Sequence, residues 1–530
     1  MRATVASVSL WLSIVLAISC GHPNGPSLPA SPWAAPELFA DIPADTPYVV
    51  AAIDPLDEAL RARMYRGVGH KLSELIATAD NLVKTEDEPW KRAVSAVVDS
   101  LRGTNLDKWY DTVGFGPSPR FAIYGLGIFP VFRVELADAA KLRAIVTKAI
   151  AAAGAGIATN TLRGASYWSI TRTHGTIVIA ILDRELVLAF TPTPTLAATL
   201  PLILGLDRPA QSLATTTVVP DTLKKYGFNR TMFMQVDAAS LGAAIAGIPD
   251  ASVAGPGCKD DFARLASYTP RLVAGYRHLD ADGYAAAFVV ETSHAISDAL
   301  AKLHTALPQM PREGTPMFEM TAAVDLDAAI DAVRTAVHQL RNQPFRCPAL
   351  APMSQALDDA GQKLDEPLPP EMPGLRGFDF VLDDFSQSPP SGRGALLVIG
   401  TRLGDAIKKL VGRVPVGLPQ IPNDGSPVDL PIGLLGLADV QSADVAMRDG
   451  VAALAVDPKS KERVVKALSA PADPRAPFMS FAWDIARSIE RFPNAWNGDT
   501  LEMLRDMKHM DMSLELRDNA LDFEIDAGWP

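Results

Sequence analysis

The spacing of apolar residues changes repeatedly between two periods along this chain, and these periods predict strands and helices in close succession. Five short apolar runs predict strands at 120–124, 131–136, 167–171, 176–182 and 185–190. Helical spacing at 139–153 follows Asp138, a predicted N-cap, and stops at Gly154. Hairpins that alternate with helices are typical of the α+β class, in which helices pack on an antiparallel sheet.

The same alternation continues after residue 190. The pattern predicts a helix at 193–204, a strand at 231–236, a helix at 238–246 and a hairpin formed by 271–277 and 284–291. Two Pro-rich segments, 344–375 and 412–432, carry neither period. We expect both segments to be irregular.

Four short sequence matches recur in the same order in the two halves of the chain. They pair 51–55 with 322–326, 183–192 with 449–458, 232–237 with 479–484, and 282–283 with 518–519. The separation of matched residues falls steadily from 271 to 236, so the order is kept while the second half loses residues. A period this long exceeds that of solenoids and propellers.

These matches predict two related copies of one α+β domain, at 39–300 and 301–530. Each copy would be an antiparallel sheet built from hairpins with helices packed on it, and the second would contain the Pro-rich segment near 344–375. The matches also make Asp54 equivalent to Asp325, and Asp237 equivalent to Asp484.

The N-terminus has the three parts of an export signal. Arg2 supplies a positive charge, and the apolar run at 8–18 is too short to span a bilayer. Residues 16–19 and Cys20 resemble the lipobox of bacterial lipoproteins. The resemblance implies a signal peptide at 1–19, cleavage before Cys20 and acylation of that cysteine with fatty acids such as palmitate. An ordinary signal peptide with an incidental cysteine is the alternative.

The residues after Cys20 predict a more specific location in the cell envelope. Gly21 follows the cysteine, which in Gram-negative lipoproteins implies onward transfer to the outer membrane. Residues 21–38 are rich in Pro and Ser. Together with the acylated Cys20, they predict a tether between the membrane and the folded body.

Composition and charge narrow the class of protein. The 530 residues are 48% hydrophobic and 21% charged, which is typical of globular domains. The formal net charge of −12 disfavours binding to nucleic acid. Cys258 and Cys347 remain after Cys20, and two cysteines in an oxidising compartment predict one disulfide. Two separately buried thiols are the alternative.

Local motifs for catalysis or metal binding are weak. The Met-rich run at 503–512 has soft ligands for copper, but Met503, Met507 and Met510 have the spacing of one buried helix face, and core packing is the better interpretation. Residues 280–283 and 125–127 predict hairpin turns in place of a calcium or a phosphate loop. Three acidic pairs are expected in solvated loops: 260–261, 358–359 and 383–384. We expect no cofactor, no metal and no catalytic residue.

Two segments resemble a known group of proteins. The opening 42–47 with the strand after it, and the unit at 176–204, are similar to large uncharacterised exported bacterial lipoproteins known only as a domain of unknown function. The resemblance implies export and no particular activity.

The expected function is therefore inferred from the predicted location of the protein and from its composition. The first expectation is a lipid-anchored envelope protein that is no enzyme, held at the membrane by its lipidated N-terminus, and that binds or scaffolds a protein partner. The alternative is a carrier or sensor of an apolar small molecule or lipid, which the positive mean hydropathy of +0.11 favours. An enzyme would need a cleft of convergent acid, base or nucleophile groups.

Overall fold

The computed structural model describes most of the chain after the predicted tether. It covers residues 35–529 apart from 57, 64–88, 102–105, 155–156, 174, 249–254, 256, 313, 367–373, 388–389, 402, 404–419, 432–441 and 493–497. The predicted signal peptide, Cys20 and most of the tether lie outside the described residues. Among the described helices, none combines the length and the apolar character that crossing a bilayer requires.

The chain divides into two compact units. Counting only the residues that the structure describes, the first contains those within Met1–Asp250, Phe262–Ala266 and Pro270–Ala286. The second contains Ala251–Asp261, Ser267–Thr269 and Ala287–Pro530.

The first unit is built on an antiparallel sheet. Its strands are β1 (Tyr48–Ala52), β2 (Phe121–Leu126), β3 (Phe129–Glu135), β4 (Ala158–Leu162), β5 (Ala165–Arg172), β6 (Gly175–Ile181), β7 (Glu185–Thr191), β8 (Phe233–Asp237), β9 (Arg271–Leu279) and the start of β10 (Gly283–Glu291). The pairings give the order β4-β5-β6-β7-β3-β2-β1-β8-β9. β10 pairs with β9 and continues into the second unit from Ala287.

Helices cover the sheet of the first unit. They are α1 (Pro89–Leu101), α2 (Leu106–Val113), α3 (Ala139–Ala153), α4 (Leu196–Ile203), α5 (Val218–Tyr226), α6 (Ala238–Ala246) and α7 (Cys258–Tyr268), which both units share. The Asp138 carboxylate accepts hydrogen bonds from two backbone N–H groups of the first turn of α3, and Gly154 ends that helix at φ 68°. Leu142 of α3 packs with Phe121, Val134 and Leu186 of the sheet in one buried cluster.

The second unit is also built on an antiparallel sheet. Its strands are β11 (Phe318–Ala322), β12 (Leu375–Gln387), β13 (Pro390–Gly400), β14 (Val428–Asp429), β15 (Asp444–Arg448), β16 (Val451–Val456), β17 (Met479–Asp484), β18 (His509–Arg517) and β19 (Ala520–Gly528). The pairings give the order β14-β15-β16-β13-β12-β11-β17-β18-β19.

Six helices of the second unit lie in the described residues. They are α8 (His294–Ala301), α9 (Leu326–Asn342), α10 (Ala351–Leu364), α11 (Pro458–Ser469), α12 (Ile485–Arg491) and α13 (Gly498–Arg505). Val464 and Ala467 of α11 pack against Val381, Leu397 and Ala453 of the sheet, and this contact forms the core of the unit.

The predicted α+β class is confirmed, because helices and antiparallel strands alternate along both units. The helices predicted at 139–153 and 238–246 have the predicted bounds. The expectation that 344–375 is irregular is wrong, because α10 occupies Ala351–Leu364. The helical interpretation of the Met-rich run is also wrong: α13 ends at Arg505, and Met510 lies in β18. Part of the second Pro-rich segment, 412–419, lies outside the described residues.

Candidate functional site

The two cysteines of the body form the predicted disulfide. Cys258 begins α7, and Cys347 lies between α9 and α10 with its Cα atom 4.3 Å from that of Cys258. Both side chains are buried, at 0% and 1% exposure. The bond closes an 89-residue segment, and a loop of that length gives stabilisation of about 4–5 kcal/mol in the chain-entropy treatment. Cys20, the predicted lipidation site, lies outside the described residues.

An aspartate beside the disulfide corrects one expectation. Asp261 lies in the first turn of α7 and is 4% exposed. Its Oδ2 accepts hydrogen bonds from the backbone N–H of Arg346 (2.6 Å) and of Cys347 (2.8 Å). The prediction of a solvated loop for the acidic pair 260–261 is therefore wrong, since Asp261 fixes the chain that leads into the disulfide.

The other two acidic pairs also lie in regular structure. The pair 358–359 is in α10, and 383–384 is in β12. Asp383 forms a two-pronged ion pair with Arg463 of α11, at 2.5 Å and 3.1 Å between the nearest nitrogen and oxygen atoms. This pair joins the helix to the sheet.

The predicted hairpin turns are confirmed. Asp280 Oδ1 accepts hydrogen bonds from the backbone N–H of Asp282 and of Gly283, which closes the turn between β9 and β10. Gly127, at φ 60°, follows β2 in the turn to β3. Over the part of the chain that the structure describes, no three His, Cys, Asp or Glu side chains are arranged to hold a metal ion.

A buried arginine organises the interior of the first unit. The side chain of Arg133, on β3, is 1% exposed. Its guanidinium donates to Glu185 Oε2 (2.7 Å), to the Tyr124 hydroxyl (3.2 Å) and to the carbonyl oxygens of Leu202 and Ile203, and it lies 3.1 Å from Asp41 Oδ2. We call these groups the arginine network. It joins three strands, the end of α4 and the N-terminal 3-10 turn Glu37–Asp41.

The electrostatics of the arginine network suit a structural role. Burial raises the pKa of Tyr124 and of Glu185, and in both cases Arg133 opposes the rise. Burial also disfavours the charged guanidinium, but Tyr124 and the two carboxylates outweigh it, so the pKa of Arg133 is raised. The buried positive charge is matched by acceptors that lie within the fold.

The second unit carries a different group of charges, two of them buried, which we call the acidic cluster: Glu319, Asp379, Asp511 and Asp526. Directly paired residues of an antiparallel sheet project from the same face. Across neighbouring strands, Glu319 of β11 pairs with Ala482, Ala482 pairs with Asp511 of β18, and Asp511 pairs with Asp526 of β19. Asp379 of β12 pairs with Thr321, two residues from Glu319, so all four carboxylates project from one face.

Two members of the acidic cluster are deeply buried. Asp379 is 3% exposed and accepts hydrogen bonds from the Thr321 hydroxyl and from the backbone N–H of Met310, both at 3.1 Å. Glu319 is 6% exposed, and its Oε1 accepts from the guanidinium of Arg312 at 2.7 Å. Its buried Oε2 accepts no hydrogen bond from the described residues.

The carboxylates of the acidic cluster affect one another. Burial raises the pKa of Asp379, and the negative charge of Glu319 raises it further against the hydrogen bonds that Asp379 accepts. Partial burial likewise raises the pKa of Asp511, where Asp526 and Glu319 add to the rise while His509 and Arg312 oppose it. A group of carboxyls in this condition can take up protons at a pH where isolated carboxyls remain ionised.

Neither group of charges is predicted from local sequence patterns. The members of the arginine network are distant in sequence and become neighbours only through strand pairing. The acidic cluster left one local signal that was not used: acids recur at every second position in β19, at Asp522, Glu524 and Asp526, which places them on one face.

Comparison of the chain with protein-family models, curated proteins and solved structures finds no match.

Proposed function

We propose that this chain is a lipid-anchored protein of the bacterial cell envelope, whose body consists of two related copies of one α+β unit and binds a partner there. The observation that carries the proposal is the N-terminal sequence: an apolar run at 8–18 whose last residues begin the segment Leu-Ala-Ile-Ser-Cys at 16–20. Two or three acyl chains on Cys20 would hold the protein firmly, because each buried CH₂ contributes about 0.8 kcal/mol.

The disulfide supports export. Disulfides form and persist in oxidising compartments such as the bacterial periplasm. The two cysteines of the body are joined, and both are buried. This agrees with a body that folds outside the cytoplasm.

Strand order supports two related copies. The order β5-β6-β7-β3-β2-β1-β8-β9 in the first unit has the same connections as β14-β15-β16-β13-β12-β11-β17-β18 in the second. A helix follows β8 and β17 directly, and an aspartate caps each. Asp237 Oδ1 accepts from the Ser240 N–H at 2.7 Å, and Asp484 Oδ1 accepts from the Arg487 N–H at 2.9 Å.

Strand register gives a stricter argument. The match of 232–237 with 479–484 makes Phe233 equivalent to Ser480. From these two residues, directly paired residues can be followed from strand to strand across each sheet, as far as β7 in the first unit and β16 in the second. The equivalent positions on this path are Ala51 and Thr321, Ala122 and Asp379, Arg133 and Leu397, and Val187 and Ala453. The last two lie 266 residues apart, which is also the separation of the match between 183–192 and 449–458.

The same path shifts the predicted equivalence of Asp54 and Asp325 by one residue. Because Ala51 corresponds to Thr321, Asp54 falls at the position of Val324, next to Asp325. The two aspartates also have different roles. Asp325 caps α9, whereas Asp54 forms an ion pair with Arg230 at 2.7 Å.

The buried charges of the first unit bear on the choice between a structural and a catalytic role for Arg133. The guanidinium of Arg133 donates hydrogen bonds to groups within the fold, and these contacts join strands and turns. Such saturation is typical of structural ion pairs, whereas a catalytic group must be free to reach a substrate. We therefore assign the arginine network a structural role, and the proposed binding of a partner rests on the predicted membrane address.

One observation favours a second candidate, the carrier or sensor of an apolar molecule. On one face of β17, β18 and β19, large apolar side chains are only partly buried, among them Phe481, Trp483, Met512, Phe523 and Ile525. Met479, beside them, is 43% exposed. Apolar surface of this kind would gain free energy by contact with an acyl chain.

Fractionation of expressing cells tests the anchor. The wild-type protein should sediment with membranes, Cys20→Ala should be released or retained as an unprocessed precursor, and the control Ser19→Ala should behave like wild type. Wild-type protein in the soluble fraction would overturn the proposal. Native mass spectrometry of the purified protein then separates the two candidates: a bound apolar molecule lost on denaturation favours the carrier, and the bare protein mass favours a protein partner.

A further inference from the structure

The acidic cluster gathers more negative charge than the surrounding elements neutralise. Its four carboxylates come from β11, β12, β18 and β19. The positive groups that face them are the guanidinium of Arg312, whose side chain is 65% exposed, and the imidazole of His509, 3.7 Å from Asp526. Asp511 and Asp526 are directly paired across two strands, an arrangement that destabilises a sheet when both are charged.

Glu319 adds a buried charge with one unsatisfied oxygen to the acidic cluster. Its side chain is 92% buried, Arg312 occupies Oε1, and Oε2 accepts no hydrogen bond within the described residues. The negative charge of Glu319 adds to the raised pKa of Asp379 and of Asp511, so proton uptake by these two carboxyls relieves the repulsion.

We propose that the acidic cluster makes the second unit a pH-responsive element, in which proton uptake stabilises the sheet around β11, β12 and β18 as the pH falls. This inference goes beyond the proposed function, and its geometric basis does not depend on the lipid anchor.

The first unit indicates that the fold itself does not require these acids. By the register path described above, Glu319, Asp379 and Asp511 correspond to Val49, Ala122 and Val273. Those three residues are buried, at 2%, 0% and 0% exposure. This step rests on the proposed relation of the two copies.

The sign of the effect follows from proton linkage. The carboxyl of an unfolded Asp releases its proton near pH 3.9, whereas the raised pKa of folded Asp379 and Asp511 makes them release it at higher pH. Between these values the folded state holds more protons than the unfolded state. The stabilisation is therefore complete below the unfolded pKa and is lost as the pH rises through the folded pKa.

The cluster is connected to a segment that could transmit the change. The backbone N–H of Met310 donates to Asp379, and Arg312 donates to Glu319, so the residues before β11 are held by the two buried acids. The same segment is also held at Leu307, a few residues earlier in the chain, which forms two backbone hydrogen bonds with Asp473. Charge at the cluster thus acts directly on this segment.

Hydrogen–deuterium exchange of the full-length protein at about pH 5.5 and about pH 7.5 tests the proposal, with exposure times corrected for intrinsic exchange. We expect the protection of β11, β12 and β18 to rise at the lower pH, by at most roughly tenfold for each unit of a raised carboxyl pKa that lies between the two pH values. Protection of β1 and β9 should change less. The strands β2, β3 and β7 do not serve as a reference, because the raised pKa of Glu185 acts on them through the arginine network. An equal change in β1 and β9 would overturn the proposal.

Variants make the assignment specific. Asp379→Asn with Asp511→Asn should remove most of the pH difference in the second unit, and the control Asp358→Asn, on an exposed carboxylate of α10, should keep it. A full pH effect in the double variant would contradict the proposal. If that variant does not fold, the infrared carbonyl band of protonated carboxyls in the wild-type protein decides: its presence at about pH 5.5 and loss on unfolding supports the proposal, and its absence refutes it.

Discussion

Arg133→Met removes a guanidinium from the interior of the first unit and keeps the length of the side chain. The carboxylates of Asp41 and Glu185, 15% and 16% exposed, lose the positive charge that lies 3.1 Å and 2.7 Å from them. The Tyr124 hydroxyl and the carbonyls at the end of α4 lose a donor as well. The variant therefore leaves two nearly buried carboxylates without this counter-charge.

Breaking a buried ion pair by removing one partner destabilises proteins by about 3–5 kcal/mol. For a unit of this size, each kcal/mol lowers the midpoint of thermal unfolding by about 2–4 °C, so we expect a loss of roughly 6–20 °C. Arg163→Met is the matched control: Arg163 is 56% exposed and pairs with Asp207 at 2.6 Å, and exposed pairs contribute less than about 1 kcal/mol.

Thermal unfolding followed by hydrogen–deuterium exchange, read in peptides from β3 and β7, measures the loss where it occurs. A destabilisation by Arg133→Met no greater than that by Arg163→Met would refute the reasoning.

A compensating variant separates loss of the guanidinium from loss of packing. The register path places Leu397 and Val451 at the positions of Arg133 and Glu185. Replacing a buried ion pair by apolar residues is often neutral or stabilising. We expect Arg133→Leu with Glu185→Val to be more stable than Arg133→Leu alone, and the reverse order would contradict both the energetic argument and the proposed equivalence.

Three further predictions concern the helix caps, the disulfide and Tyr48. Asp237→Ala and Asp484→Ala each remove an N-cap and should destabilise their own unit by about 1 kcal/mol, measured by urea unfolding; a neutral result in either would argue against the capping role. Cys258→Ala with Cys347→Ala should cost about 2–5 kcal/mol in the same assay, and an unchanged midpoint would show that the bridge does not stabilise the fold. Burial raises the pKa of Tyr48 to about 12, so Tyr48→Phe should leave the tyrosinate absorbance at about pH 10 unchanged, and a loss of absorbance would contradict this.

Local signals predicted much of the fold. The helix α3 was predicted with its bounds because an aspartate cap and a terminal glycine mark its ends. The turn at Asp183-Arg184 separated β6 from β7 for a similar reason, since two polar residues interrupt two apolar runs. Where the chain itself carries the start and stop signals, sequence and structure agree.

The failures have physical causes. Prolines made 344–375 appear irregular, but Pro352 lies in the first turn of α10, where the absence of an N–H has no consequence. In the Met-rich run, three methionines with helical spacing were too few to define a period. The alternation of Met510, Met512, Leu514 and Leu516 in β18 was the longer signal.

The buried charges could not be predicted from local pattern. Arg133 is an ordinary polar residue in an apolar strand until pairing brings β2 and β7 beside it and the N-terminal turn supplies Asp41. Glu319 and Asp379 become neighbours only because β11 pairs with β12. Which charges are buried together is a property of strand order, and strand order was not predicted.

The mass of the N-terminal peptide of the protein isolated from membranes tests the central claim most directly. We expect a peptide that begins at Cys20 and carries the added mass of two or three fatty acyl chains. A peptide that begins elsewhere, or an unmodified Cys20, would contradict it.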